Sequence, residues 1–200
     1  MEKKIMEHTF FDDLFREKIN IIDLGACKGE FSYQLNEVYN IDKIIMVEAG
    51  PENFKSLPYL DNVKIYNRVI SSKSNIDYDF YEDPNSPYNG SVMFNKFTHV
   101  THVIKSITLE EILDENNIDF VDILKIDVEG SEYDLLMNTP DFVFDKVRQI
   151  TVEFHEFLNP SLRKETDLIK IRMEKLGFKC VSYNLHSFEN YDVVFYKINI

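Results

Sequence analysis

Short, nearly unbroken apolar runs separated by helical stripes dominate the pattern along this chain. Residues 19–24 read Ile-Asn-Ile-Ile-Asp-Leu and stop at Gly25, and residues 43–48 read Lys-Ile-Ile-Met-Val-Glu. Runs this short and this rich in β-branched residues predict central parallel strands buried on both faces. Residues 62–66, 121–128 and 147–154 predict further strands, with 178–183 and 191–196 as a closing hairpin. Helical patterns alternate with them. One runs from Gly29 through Phe31, Leu35 and Val38, and another starts at Pro51, a residue suited to a first turn. Thr108 and Glu111 form a capping box that opens a helix to about Asn116. Residues 131–137 form the next, stopped near Pro140. The last starts at Pro160, carries Leu162, Ile169, Met173 and Leu176 on one face, and ends in a left-handed cap at Gly177. Ahead of the core, Phe10, Phe11, Leu14 and Phe15 predict a short amphipathic helix over residues 8–18.

Residues 72–106 depart from this rhythm. Ile76, Tyr78 and Phe80 alternate with polar residues, and a cluster from Asp83 through Pro84, Asn85 and Pro87 to Gly90 follows. Alternation predicts half-exposed antiparallel strands, and the cluster predicts a loop. Two roles stand open for this insertion. It is either a substrate lid, with Tyr78, Tyr81, Tyr88 and His99 available to stack on a sugar ring, or a surface hairpin whose aromatics are core. No repeat, low-complexity tract or linker interrupts the chain. The order βαβαβ, insertion, αβαβ, α, ββ predicts one α/β domain over residues 1–200. Its expected architecture is a doubly wound, mostly parallel, seven-stranded sheet with an antiparallel C-terminal hairpin strand and helices on both faces.

Composition narrows the classes of partner. The 200 residues carry 35 acidic and 22 basic side chains, a net charge of −13. Such a surface opposes encounter with a polyanion, which disfavours nucleic acid as a partner. Cys27 and Cys180 have neither metal-type spacing nor a disulfide framework, and two free thiols in a reducing cytoplasm are expected. Met1-Glu2-Lys3-Lys4 is followed by no apolar signal-peptide core, and no apolar run nears the ~20 residues of a bilayer span. A cytoplasmic protein without a membrane span is the expectation.

In an open α/β sheet, ligands bind beyond the carboxyl ends of the strands, where strand order reverses. Four strand ends carry the candidate chemistry. The first is Asp23-Leu24-Gly25-Ala26-Cys27-Lys28-Gly29-Glu30. Gly25 permits a tight turn, and Gly29 lets a ligand approach the backbone where a helix begins. A dinucleotide fingerprint would need glycine at position 27, where this chain has Cys27. Asp23 and Glu30 would repel a pyrophosphate and attract the ammonium of a methionine moiety. The second end is Glu48, placed to accept hydrogen bonds from ribose hydroxyls, a role that adenosine in either S-adenosylmethionine or NAD would satisfy. Ala49 and Val69 join it in the candidate cofactor site. The third is Asp127-Val128-Glu129-Gly130-Ser131, whose carboxylates can orient an acceptor or take its proton, with Ser131 able to cap the next helix. The fourth is Glu153-Phe154-His155, where His155 is a candidate general base. Asp127, Glu129, Glu153 and His155 could surround a divalent cation, but a histidine beside carboxylates is more often a hydrogen-bonded structural residue, and no metal is assigned.

These segments resemble the FkbM-type methyltransferase family, within the class I S-adenosylmethionine-dependent methyltransferases. The resemblance rests on residues 21–29, Val47-Glu48, residues 106–111, the run Leu124-Lys125-Ile126-Asp127-Val128-Glu129-Gly130 and residues 149–153, and spans residues 21–157. It implies a Rossmann-like fold and O-methylation of a sugar or natural-product scaffold from S-adenosylmethionine. It also implies cofactor contacts from Asp23, Gly25, Ala26, Gly29 and Glu48, with Asp127 and Glu129 beside the cofactor. The chain departs from the family in carrying Cys27 where asparagine is usual and Glu48-Ala49 where Glu-Pro is usual. Glu129 or His155 is the expected base, with Glu153 nearby. A nicotinamide-dependent oxidoreductase and a non-catalytic cofactor-binding protein on the same fold are the competing readings.

Overall fold

A computed structural model describes residues 1–83, 86–92, 100–156, 161–184 and 191–198; of residues 83, 86–89, 100, 184 and 191 only the backbone is described. Pro84, Asn85, His99, Phe157, Pro160 and the side chain of Tyr88 therefore lie outside the described residues. The central sheet is built from β3 (Ile19–Leu24), β4 (Ile41–Val47), β5 (Val63–Tyr66), β10 (Ile123–Ile126), β11 (Gln149–Phe154), β12 (Lys179–Asn184) and β13 (Tyr191–Tyr196). Its seven strands run in the order β12-β13-β11-β10-β3-β4-β5. All are parallel except β13, which enters antiparallel between β11 and β12. This is the expected doubly wound sheet, with the last strand inserted rather than added at the edge.

Consecutive residues of the inner strands bury on opposite faces, which is why those runs read as continuously apolar. Ile22, Ile45 and Leu124 join a core with Leu109, Ile112, Leu135, Leu136, Phe144, Ile169 and Met173. Those partners come from α3 (Leu109–Glu115), α4 (Glu132–Asn138), α5 (Asp141–Phe144) and α6 (Leu162–Lys175). Ile21, Ile44 and Ile123 face the other way, onto Phe31 and Leu35 of α1 (Glu30–Val38), Leu57 past α2 (Pro51–Ser56), and Phe10. Helices thus cover both faces. Thr108 closes a full capping box with Glu111, and Gly177 ends the last helix at φ +86°.

The N-terminal segment corrects the sequence reading. Residues 8–11 are not helical. They form β2 (His8–Phe11), paired antiparallel with β1 (Glu2–Ile5), and only Asp12–Leu14 makes a 3-10 turn. The aromatic stripe that mimicked a helix instead serves a strand lying against β11 and β13. The Thr9 N–H donates to Asp192 (2.9 Å), and Phe11 exchanges backbone bonds with the Gln149 amide (2.9 and 3.1 Å). Tertiary hydrogen bonding outweighs local periodicity here.

The insertion forms the antiparallel strands its alternation predicts. β7 (Asp77–Asp83), β8 (Ser86–Ser91) and β9 (Val100–Ile107) join β6 (Val69–Ile70) in a second sheet of order β6-β9-β7-β8. Phe80 and Ile104 are buried, while Val103 stays 66% exposed. Among the described residues no helix is long and apolar enough to cross a membrane. Replacing Thr108 with alanine removes the oxygen that holds the Glu111 N–H. It is expected to lower unfolding stability by about 1 kcal/mol, read from urea denaturation at an unchanged m-value.

Candidate active site

Strand order reverses between β3 and β10, and a cleft opens beyond their carboxyl ends. On one side β3 turns at Gly25 (φ +77°), whose N–H and that of Ala26 donate to the Val47 carbonyl (2.9 and 3.1 Å). A Cβ at Gly25 would collide with the Asp127 carbonyl oxygen, so this close crossing of the β3 and β10 ends requires glycine. Cys27 sits next in the left-handed region at φ +50°, and Gly29 (φ +79°) precedes α1.

Glu48, only 7% exposed, ends β4 on the cleft wall. Its two oxygens accept from the Cys27 and Gly50 N–H groups, both at 2.7 Å. Burial pushes its carboxyl up to about 7, against the pull of those two donors. The same burial, with Glu48 and Glu30 nearby, pushes the Cys27 thiol up to about 11, so it stands as an inert neutral wall. Asn67 locks the loop from beneath by donating to the Glu48 and Ala49 carbonyls, both at 2.9 Å.

The insertion roofs the cleft with Phe80, Glu82, Gly90 and Val92. Ser91 donates to the Glu129 carbonyl (2.6 Å), and Glu82 pairs with His102 (3.0 Å) while reaching toward Gly50. The insertion thus lines the cleft while its Phe80 and Tyr78 pack with Val69 and Ile104, and neither a lid over a substrate nor a purely surface hairpin describes it.

Asp127, Glu129, Ser131 and Glu153 line the floor. Behind them Lys125 lies 4% exposed, its ammonium donating to the Gly25 carbonyl (2.6 Å) and lying 3.2 Å from Asp23 and 3.5 Å from Asp127. Burial works against the charge on both Lys125 and Asp127. Asp23 and then Asp127 overcome it for the ammonium, which is held above its ordinary value, and Lys125 overcomes it for Asp127, held well below the carboxylate range with His8 and His155 helping. His155 lies 3.4 Å from Glu129 and 3.1 Å from the fully buried Glu132. Burial disfavours its cation, but Glu132 and then Glu129 raise it well above its ordinary value.

The pattern that defines the Methyltransferase FkbM domain matches residues 23–180. This chain belongs to that family. The crystal structure of an FkbM methyltransferase from Methylobacillus flagellatus is similar in fold (TM-score 0.60, 15% identity), covering 92% of this chain and 46% of that one. An rRNA methylase from Streptococcus thermophilus shares the fold at TM-score 0.54 and 8% identity, over 94% of this chain and 91% of that one. A 71-residue stretch, 36% of this chain, is 31% identical to part of the AMB antimetabolite synthetase AmbE of Pseudomonas aeruginosa, of which it covers 3%. The chain thus spans less than half of the FkbM structure and a small fraction of AmbE.

Within this FkbM methyltransferase domain, Gly25, Cys27, Glu48, Ala49, Val69, Asp127, Glu129 and Glu153 line one cleft, as the strand-end pattern anticipates. Ala26 and Gly29 are buried in the loop beneath it. Three expectations change. Asp23, read as facing a ligand's ammonium, is fully buried and committed to Lys125 and to the Ser32 hydroxyl (2.7 Å). His155, read as a possible base, is 1% exposed and does not line the cleft; its Nδ1 faces Glu132 (3.1 Å) and its Nε2 faces Glu129 (3.4 Å). Ser131 makes no helix cap; Glu132 instead takes the Gly130 and His155 N–H groups (2.8 and 3.1 Å). The sequence reading missed His8, Lys125 and Glu82. A charged residue mid-strand in an apolar run was the available signal for Lys125, and a strand-like His8-Thr9-Phe10 the signal for His8.

Replacing Lys125 with methionine strands two carboxylates without their counter-charge. A loss of about 3–5 kcal/mol in unfolding stability is expected from urea titration at neutral pH. Because Asp127 is held low in the fold, its contribution is present above the unfolded carboxylate value of about 3.9 and fades as pH falls below it. The variant is expected to show a shallower acid-side loss than the parent.

Proposed function

We propose that this domain transfers a methyl group from S-adenosylmethionine to a hydroxyl oxygen of a sugar, glycan or natural-product scaffold. The observation that carries this reading is Glu48, a buried carboxylate on the cleft wall, 2.7 Å from the N–H of a glycine-turn residue, in a cleft that Asp127, Glu129 and Glu153 also line. A ribose fits a carboxylate at that wall, and a methionine sulfonium and ammonium fit a floor of carboxylates. The cofactor supplies the methyl group on a sulfonium that leaves as a neutral thioether. The residues of the chain supply position, which is worth about 7–11 kcal/mol when two reactants are held in line. An alcohol acceptor must also lose its proton, and the floor carboxylates Glu129 and Glu153 are the groups on the cleft able to take it.

A nicotinamide cofactor fits less well. Its pyrophosphate would meet the Cys27 side chain where a glycine is needed, above a floor of like charge. Net charge of −13 favours a small acceptor over nucleic acid.

Calorimetric titration with S-adenosylmethionine, S-adenosylhomocysteine and NAD tests the ligand, with saturable binding of the first two and none of the third expected. Mass spectrometry across nucleotide sugars and glycans then seeks the gain of one methylene unit. No binding of either sulfur ligand at millimolar concentration would remove the proposal. Glu48→Gln is expected to weaken cofactor binding about 10–100-fold, the worth of hydrogen bonds to a charged group. Ribose donors favour the carboxylate, so affinity should fall as pH drops through about 7 in the parent and stay flat in the variant.

A further inference from the structure

Gly50 is explained by its neighbours and not by its backbone. It stands at φ −63° and ψ 117°, a conformation open to any residue, directly ahead of α2. What the position requires is room. A Cβ there would lie 2.5 Å from Glu82 Oε1 and 2.9 Å from Glu48 Oε1, too close for either oxygen. Two carboxylates from different sheets therefore converge beside Gly50, Glu48 from just past β4 and Glu82 from β7 of the insertion, and both line the cleft.

Their surroundings differ. Glu48 is buried, and each of its oxygens already accepts a backbone N–H, one from Cys27 and one from Gly50. Glu82 is held by His102, whose Nε2 lies 3.0 Å from Oε2. Its other oxygen, Oε1, stands beside Gly50, and among the described residues no donor reaches it. Two acceptor-only groups this close repel each other, and a ligand with two donors relieves the repulsion. Next to them the cleft turns apolar: Ala49, Val69, Phe80 and Val92 all line it and pack as one cluster. A nucleoside matches both surfaces. Its flat base suits the apolar wall, and its ribose carries a cis-diol with two O–H donors for the two carboxylates.

We propose that Glu82 is a second ribose-binding residue, and that Glu48 and Glu82 divide the cis-diol of the cofactor, one hydroxyl to each carboxylate. This rests on the methyl-transfer reading and deepens it. The insertion thereby takes part in choosing the cofactor. A nucleoside that lacks either hydroxyl leaves one carboxylate unpaired beside the other, and a site built to pair a hydroxyl rejects the analogue without it. A nucleoside with a phosphate on the diol brings further negative charge against both groups and is rejected as well.

The test is calorimetric titration of the full chain with S-adenosylhomocysteine, its 2′-deoxy and 3′-deoxy analogues, and its inosine counterpart. In the parent, removal of either hydroxyl is expected to weaken binding about 10–100-fold, the worth of a hydrogen bond to a charged group. In Glu82→Ala one of those two penalties should fall to within threefold while the other persists. If the alanine variant does not fold, Glu82→Gln, of equal size, should shrink that same penalty at least threefold. Both penalties surviving intact in the Glu82 variants would leave the whole diol to Glu48 and overturn the division. So would loss, in Glu82→Ala, of a parent preference for S-adenosylhomocysteine over its inosine counterpart, which would put Glu82 at the base instead. Either of those results leaves the methyltransferase reading standing, whereas a parent that binds no S-adenosylhomocysteine sinks both.

Discussion

One buried ammonium holds the functional end of this fold together. Lys125 sits in the row that runs across the sheet from Asp23 on β3 through Lys125 on β10 to Thr151 on β11. Its Nζ meets the Gly25 carbonyl, Asp23 and Asp127, which belong to the glycine turn, the strand beneath it and the cleft floor. A charge this deep persists only when paired and hydrogen-bonded. The ammonium therefore ties the turn to the floor alongside the Asp127 N–H, which donates to the Leu24 carbonyl (3.0 Å), and the Asp127 carbonyl passes so close to Gly25 that no Cβ fits between them.

Much of the fold was legible because its signals are local. Buried parallel strands need apolar side chains on both faces, so residues 19–24 and 43–48 read as unbroken runs. The Thr108–Glu111 box and the cap at Gly177 are short-range chemistry and appeared where expected. Even the insertion showed itself through alternation, since Phe80 and Ile104 point inward while Val103 points out. What escaped was decided at long range. The N-terminal hairpin is held by Gln149, Thr151 and Asp192, more than 130 residues away in sequence, so its aromatic spacing alone favoured the wrong period. The short strand at Val69–Ile70 depends on a parallel partner at Ser106–Ile107 and leaves no periodic trace.

The candidate site divides along the same line. Positions at strand ends could be read as cleft residues because topology alone sends them there, and Gly25, Glu48, Asp127 and Glu129 all arrive. Roles could not be read, since they depend on partners. Asp23 looked available until Lys125 and Ser32 claimed it, and His155 looked like a base until burial between Glu132 and Glu129 took it off the cleft. A titratable residue is assigned by what faces it, and facing is a property of the tertiary structure.

The cleft's charge balance separates ligand classes more sharply than any single residue does. Asp127, Glu129 and Glu153 line its floor, Glu48 its wall and Glu82 its roof, against the single lining cation Arg68 among the described residues, while the buried Lys125 and His155 are already committed to carboxylates. Each cleft carboxylate that stays ionised raises the cost of bringing a phosphate into the same low-dielectric space and lowers the cost of bringing in a cation. A ligand with a sulfonium and an ammonium relieves that excess, whereas a pyrophosphate or a nucleic-acid backbone adds to it. The chain's net charge of −13 extends the same preference outward to the encounter step. Fold likeness to an rRNA methylase therefore carries no substrate with it, because the shared sheet positions the strand ends while the side chains at those ends set the sign of what can approach.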